Sequence, residues 1–359
     1  MRSLPAPSSA KTTPTSCPSS TWRSFLTQTR RRRRRRGLAL RAETGDSSRS
    51  GYTYIYNGYL SRFRESDVLL NSNNPDEGFF VFGQLTNHGI DEAVIQRMKE
   101  STVQFFDLPL DSKNAVAVRG DGFEGYGHHY SRLSKLDWAE SVILITQPVQ
   151  DRNMELWPTN PPMFRDALEE YSAAVTKLMA KLVGSMAADL GVAPAALQGA
   201  FAGKRQSAAI HRYPPCRRPE AVIGNTAHTD GLALTALLHA DGTPGLQVRR
   251  GGRWFPVPPP LPGGAALVVN VGDILHVLTN GAYRSAEHRV MVNAERARTT
   301  AVVFQDASVG GMVAPLPELL AGAEGGEVAR YRAVPRSEYL KVRFSALAQR
   351  KGFLDGLKL

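Results

Sequence analysis

His228-Thr229-Asp230-Gly231-Leu232-Ala233-Leu234-Thr235-Ala236-Leu237-Leu238-His239 is the stretch on which the fold turns. Leu232 to His239 is a short apolar run of strand length, set off by glycine, and is expected to be a buried strand. Just before it, His228 and Asp230 are separated by one residue. On a strand such a pair points to one face, where an imidazole and a carboxylate can reach the same metal ion. A third candidate ligand is His288, bounded by strand-like runs at Ala265 to Val271 and Arg289 to Asn293, so a folded sheet has to bring it back. Two imidazoles and one carboxylate on one side of a metal, with the other positions open, suit Fe(II).

Outward from this stretch, the chain after Gly203 reads as short strands broken by Gly and Pro. Ser207 to Tyr213, Leu232 to His239, Gly245 to Val248, Trp254 to Val257, Ala265 to Val271, Arg284 to Asn293 and Thr299 to Gln305 can supply two facing sheets. The expected fold is mainly β with flanking helices around a double-stranded β-helix (jelly-roll) core at 201–310. Residues 51–200 are expected to be its helical N-terminal part and 311–359 a C-terminal helical segment. In the former, Asp91 caps a helix running to about Phe106. A longer helix carries Phe164, Leu168, Tyr171, Val175, Leu178, Leu182 and Met186 at three- and four-residue intervals, a packing stripe. In the latter, Ser337 to about Gln349 should be a helix with Tyr339, Leu340, Phe344 and Leu347 on one face, lining the pocket or filling the core. His88 in an Asn-His-Gly turn reads as a structural histidine, and His128 and His129 as loop histidines.

At 359 residues and 42% hydrophobic, the chain can bury a large core, and no apolar run approaches membrane-spanning length. Two cysteines, Cys17 and Cys216, make no disulfide framework and fit a reducing compartment. The net charge of +11 suggests nucleic-acid binding until it is located. Residues 1–42 hold 11 basic residues, including Arg30 to Arg36, and no acidic one, which accounts for the whole excess. The remaining chain is neutral and offers no basic stripe, so no nucleic-acid partner is expected for the domain. Residues 1–50, rich in Ser, Thr, Pro and Arg, are expected to be a disordered extension. Cytoplasm is the expected location, or chloroplast if residues 1–42 act as a transit peptide.

His211-Arg212-Tyr213-Pro214-Pro215, His228-Thr229-Asp230, Gly245-Leu246-Gln247-Val248, Asn270-Val271-Gly272-Asp273, Asn280-Gly281, His288-Arg289-Val290 and Arg298-Thr299-Thr300, taken in order, resemble the plant 2-oxoglutarate- and Fe(II)-dependent dioxygenases. Gly78-Phe79-Phe80, Asn87-His88-Gly89 and Leu156-Trp157-Pro158 extend the likeness from about Glu77 to the C-terminus. The specialised-metabolism branch, codeine-demethylase-like and flavonol-synthase-like, is the better match, and gibberellin oxidases a weaker one. His211 stands where the family usually has Asn, and Thr300 where it usually has Ser.

The resemblance implies His228, Asp230 and His288 as iron ligands, Arg298 and Thr300 as partners of the distal carboxylate of 2-oxoglutarate, and Tyr213 as a further contact to that co-substrate. A planar guanidinium can hold a carboxylate through two charge-assisted hydrogen bonds, and Thr300 lies on the same side of a strand to add a third. It also implies O2 as co-substrate, ascorbate as reductant, and hydroxylation, demethylation or desaturation of a small apolar or aromatic plant metabolite with release of succinate and CO2. A monomer is expected. A gibberellin-type hormone oxidase is the alternative within the family. A catalytically silent small-molecule-binding relative is the alternative outside catalysis, against which the intact ligand set argues.

Overall fold

The computed structural model describes residues 79–80, 82–120, 122–127, 129, 137–260, 264–321, 328–349 and 354–359. The basic extension, the segment that follows it up to residue 78, His128, and the side chains of Phe344 and Leu347 lie outside the described residues. In chain order the elements begin with strands β1 (Phe79–Phe80) and β2 (Phe82–Leu85), helices α1 (Glu92–Asp107) and α2 (Leu110–Asn114), and strands β3 (Gly125–Gly127) and β4 (Glu140–Gln147). Helices α3 (Phe164–Asp189) and α4 (Pro194–Phe201) follow, then strands β5 (Gln206–Tyr213), β6 (Asn225–His228), β7 (Leu234–His239), β8 (Leu246–Arg250), β9 (Arg253–Pro256) and β10 (Leu267–Val271). Helix α5 (Asp273–Leu278) precedes β11 (Tyr283–Arg284), β12 (His288–Val290) and β13 (Arg298–Gln305), and the chain ends with β14 (Met312–Val313), α6 (Pro317–Ala321), β15 (Val334–Pro335) and α7 (Arg336–Gln349).

A seven-stranded antiparallel sheet in the order β2-β10-β7-β13-β5-β4-β3 faces a four-stranded one, β6-β12-β8-β9. Alternation along each strand of the large sheet divides its side chains between two cores. Ala208, Ile210, Ala236, Leu238, Ala301 and Val303 face outward against Met98 and Phe105 of α1 and Leu168, Tyr171 and Val175 of α3. Phe82, Tyr213 and Val268 face inward, against Leu246, Val248 and Val290 of the small sheet. Each fully buried Val, Leu, Ile, Phe or Met among them contributes about 1.5–3 kcal/mol by leaving water. The expected jelly roll with flanking helices is therefore the observed fold. No helix among the described residues is long and apolar enough to cross a membrane.

The expected helices stand close to their sequence bounds. Asp91 caps α1 by accepting from the Ala93 amide at 2.8 Å. The structure departs from expectation in three places. The run from Arg284 to Asn293 is not one strand: β11 pairs parallel with β1, while β12 joins the small sheet. The His276 ring helps make this break by accepting from the Ser285 amide at 3.3 Å. Second, β6 ends at His228, so Asp230 lies in the bend leading to β7 rather than on a shared strand. Third, β4 extends the large sheet beside β5 from a part of the chain read as helical. Its run Val142-Ile143-Leu144-Ile145 is buried mostly on both faces and carries no alternation to identify it.

Candidate functional site

In the small sheet β6 and β12 run antiparallel with His228 and His288 directly opposite, and their rings lie 4.4 Å apart between centroids. The bend after β6 swings Asp230 toward them. Asp230 Oδ1 lies 3.6 Å from His228 Nε2 and 3.5 Å from His288 Nε2. One ligand atom from each residue falls within 4.8 Å of the others. Ligands each about 2.0–2.2 Å from one ion stand roughly this far apart.

What surrounds each side chain fixes which atom it offers. His228 Nδ1 donates to the Thr226 carbonyl at 2.6 Å and His288 Nδ1 to the Ala286 carbonyl at 3.1 Å. A carbonyl only accepts, so both Nδ1 atoms carry the proton and both Nε2 lone pairs face Asp230. Asp230 Oδ2 is occupied in turn, accepting from Thr235 Oγ1 at 2.6 Å and Asn270 Nδ2 at 2.7 Å, which leaves Oδ1 free. Burial alone would raise the Asp230 pKa, but His288, His228 and the Thr235 hydroxyl hold it well below the usual carboxylate range. The carboxylate is thus ionised and aimed, and the donor set fits a divalent ion with open positions.

A second feature faces the same interior from the large sheet. Arg298 opens β13, is 1% exposed, and lies across from Tyr213 on β5, its guanidinium carbon 5.2 Å from the ring centroid. Its Nε, Nη1 and Nη2 have no hydrogen-bond acceptor among the described residues, and neither does the Thr300 hydroxyl. Thr300 sits two residues along the same strand, on the same side, with His239 of β7 and His211 of β5 as its neighbours across the sheet. Leaving an unpaired cation buried costs several kcal/mol, so the arrangement fits an anion that a ligand brings. Burial and the nearby Arg298 push the His239 pKa down to about 3. Burial, then His129 and Arg298, do the same for His211. Both rings are therefore neutral at physiological pH, and both nitrogens of His239 lack partners among the described residues.

His88 and His129 sort as their sequence settings suggest, and His128 lies outside the described residues. His88 Nε2 donates to the Ala265 carbonyl at 2.7 Å while its Nδ1 accepts from the Ile90 amide, which pins the turn before α1. His129 bonds Ser141 and the Gly125 carbonyl. His276, buried in α5, pairs with the Tyr331 hydroxyl at 2.8 Å. His276→Ala is expected to lower folding stability by about 1–3 kcal/mol, because the Tyr331 hydroxyl and Ser285 amide lose their partner, without changing Mn(II) affinity measured by calorimetry. A loss of Mn(II) binding would put His276 in the metal set instead.

Sequence reasoning missed Thr235, Asn270 and His239. Their signal is a polar residue at an inward position of an otherwise apolar strand.

Comparison with known proteins adds the following. Residues 204–307 match the 2OG-Fe(II) oxygenase superfamily, and residues 76–160 match the family described as non-haem dioxygenase in morphine synthesis N-terminal. The chain is 37% identical to oxoglutarate-dependent flavonoid 7-O-demethylase 1 of Ocimum basilicum, covering 79% of this chain and 74% of that protein. It is 34% identical to codeine O-demethylase of Papaver somniferum, covering 81% and 79%. The crystal structure of JOX2 in complex with 2OG, Fe and JA superimposes with a TM-score of 0.70 at 28% identity, covering 79% of this chain and 83% of that one.

Proposed function

The chain belongs to the 2OG-Fe(II) oxygenase superfamily and is a 2-oxoglutarate-dependent dioxygenase, and from that premise we propose how its residues divide the work and on what they act. His228, Asp230 and His288 hold Fe(II), and Arg298, Thr300 and Tyr213 hold the distal carboxylate of 2-oxoglutarate. The substrate is a small apolar or aromatic plant metabolite that is hydroxylated, oxidatively demethylated or desaturated. The flavonoid and codeine demethylases among its relatives support that class. The observation that supports the assignment is the buried guanidinium that faces the same interior as the triad and has no hydrogen-bond acceptor among the described residues. A dicarboxylate has one end for the metal and one for the arginine.

Bound iron and 2-oxoglutarate supply O2 activation coupled to decarboxylation of the co-substrate to succinate and CO2. The chain's own residues do the rest. Thr235 and Asn270 hold Asp230 so that a single oxygen faces the metal position, and the two Nδ1 anchors keep both imidazoles from rotating. Arg298 orients the co-substrate by a two-pronged contact, and the inward apolar residues Phe82, Leu246 and Val268 exclude water around it. Ascorbate is the proposed reductant that keeps the metal ferrous, and the monomer the proposed state. The proposed compartment is the cytoplasm, or the chloroplast if residues 1–42 act as a transit peptide.

A screen of phenolic and alkaloid compounds, read as succinate released above the substrate-free rate, tests the substrate class. The expected result is stimulation by one structural group. Stimulation by hydrophilic amino acids alone would overturn it.

A further inference from the structure

Helix α7 presents Arg336, Tyr339 and Arg343 at intervals of three and four residues, hence along one face. Two of the three, Tyr339 and Arg343, grip the loop carrying Asp230. Arg336 pairs with Asp306, just past β13, through Nε at 3.0 Å and Nη2 at 2.7 Å. Tyr339, 1% exposed, donates its hydroxyl to the Gly231 carbonyl at 2.7 Å. Arg343, 7% exposed, donates one Nη to the Asp273 carboxylate and the other to the Thr229 carbonyl. Thr229 and Gly231 are the two neighbours of Asp230, so the helix holds the backbone on both sides of it.

The return contacts close the grip. Asp273 accepts from the Thr229 hydroxyl at 2.9 Å and gives its backbone N–H to the Asp230 carbonyl at 2.7 Å. The fit leaves no room for a side chain: a Cβ at Gly231 would run into the Arg343 guanidinium, and one at Gly272 into the Leu232 carbonyl. Asp273 is fully buried, and Arg343 is its cationic partner. A pair serving only to close the core would have no need to bond the main chain of the bend beside a candidate ligand.

We propose that Arg343 is a positioning residue for the metal site, clamping the bend that aims Asp230, so that docking of α7 and binding of the metal reinforce each other. The inference rests on reading His228, Asp230 and His288 as the metal set. Reciprocity follows from linkage: whatever factor the docked helix contributes to metal affinity, the bound metal contributes to helix docking.

The test uses the full chain and Mn(II), a redox-stable stand-in, without substrate turnover. Arg343→Met is expected to weaken Mn(II) binding by about 10- to 100-fold, the range for losing a group that supports a ligand. Arg343→Lys, which keeps charge without the fork, should recover part of it. In the wild-type chain, saturating Mn(II) should slow hydrogen exchange of the α7 amides, and in Arg343→Met it should not. Should Arg343→Met fail to fold because Asp273 is left unpaired, the double variant Arg343→Met/Asp273→Asn removes that charge and is expected to fold while still binding Mn(II) weakly. Wild-type Mn(II) affinity in whichever variant folds overturns the clamp, and so does α7 exchange in the wild-type chain that ignores Mn(II). A wild-type chain that binds no Mn(II) at all would instead overturn the metal reading beneath it.

Discussion

Arg298→Ala should raise the 2-oxoglutarate concentration needed for half-maximal turnover by on the order of 100- to 1,000-fold while leaving Mn(II) affinity nearly unchanged. The guanidinium is buried beside Tyr213, and its nitrogens have no acceptor among the described residues. Its loss would strand the distal carboxylate of the co-substrate in a dry pocket, which costs about 3–5 kcal/mol. Metal affinity is spared because Arg298 touches none of the three residues of the triad. Arg298→Lys should recover only part, since an ammonium keeps the charge but not two parallel bonds. Thr300→Ser should be close to neutral and Thr300→Val worse, because only the hydroxyl is asked to donate. Equal loss of Mn(II) and 2-oxoglutarate binding in Arg298→Ala, or loss of neither, would refute the co-substrate assignment.

Asp230→Ala is expected to abolish Mn(II) binding and turnover together. It removes the anionic member of the triad and leaves the two imidazoles, and it strands the donors of Thr235 and Asn270 that now hold Oδ2. His228→Ala and His288→Ala should act alike, each by removing one ligand of three. Calorimetric titration with Mn(II) reads the effect without depending on substrate. Measurable binding at wild-type strength in any of the three variants would mean that the metal sits elsewhere.

Much of this site can be read in the chain itself, for reasons that differ from residue to residue. Strand-like runs flank His288 and set it apart from other histidines in the sequence, and the fold places it opposite His228. Alternation along a strand points to Asp230, yet β6 stops at His228 and a bend delivers the carboxylate instead. The polar partners of Asp230 were missed because Thr235 and Asn270 sit in strands whose apolar neighbours dominate any periodicity. Helix α7 shows the same limit from the other side. Its sequence suggests an apolar stripe through Tyr339 and Leu340, and Tyr339 is indeed buried. The functional face also contains two arginines, which a hydrophobic pattern assigns to solvent.

The buried Arg298 guanidinium bears on how long the protein survives in a cell. A buried cation with no hydrogen-bond acceptor among the described residues weakens the ligand-free fold, and a co-substrate that brings the proposed counter-ion binds only the folded chain. Co-substrate at about 100 times its dissociation constant would stabilise the fold by about 2.7 kcal/mol, which is a roughly hundredfold smaller unfolded population open to proteases. The abundance of this enzyme would then follow the central-carbon status of the cell, falling when 2-oxoglutarate is scarce even with transcription constant. With Mn(II) saturating throughout, resistance to thermolysin in vitro should rise with added 2-oxoglutarate in the wild-type chain and stay flat in Arg298→Ala at the same 2-oxoglutarate concentrations.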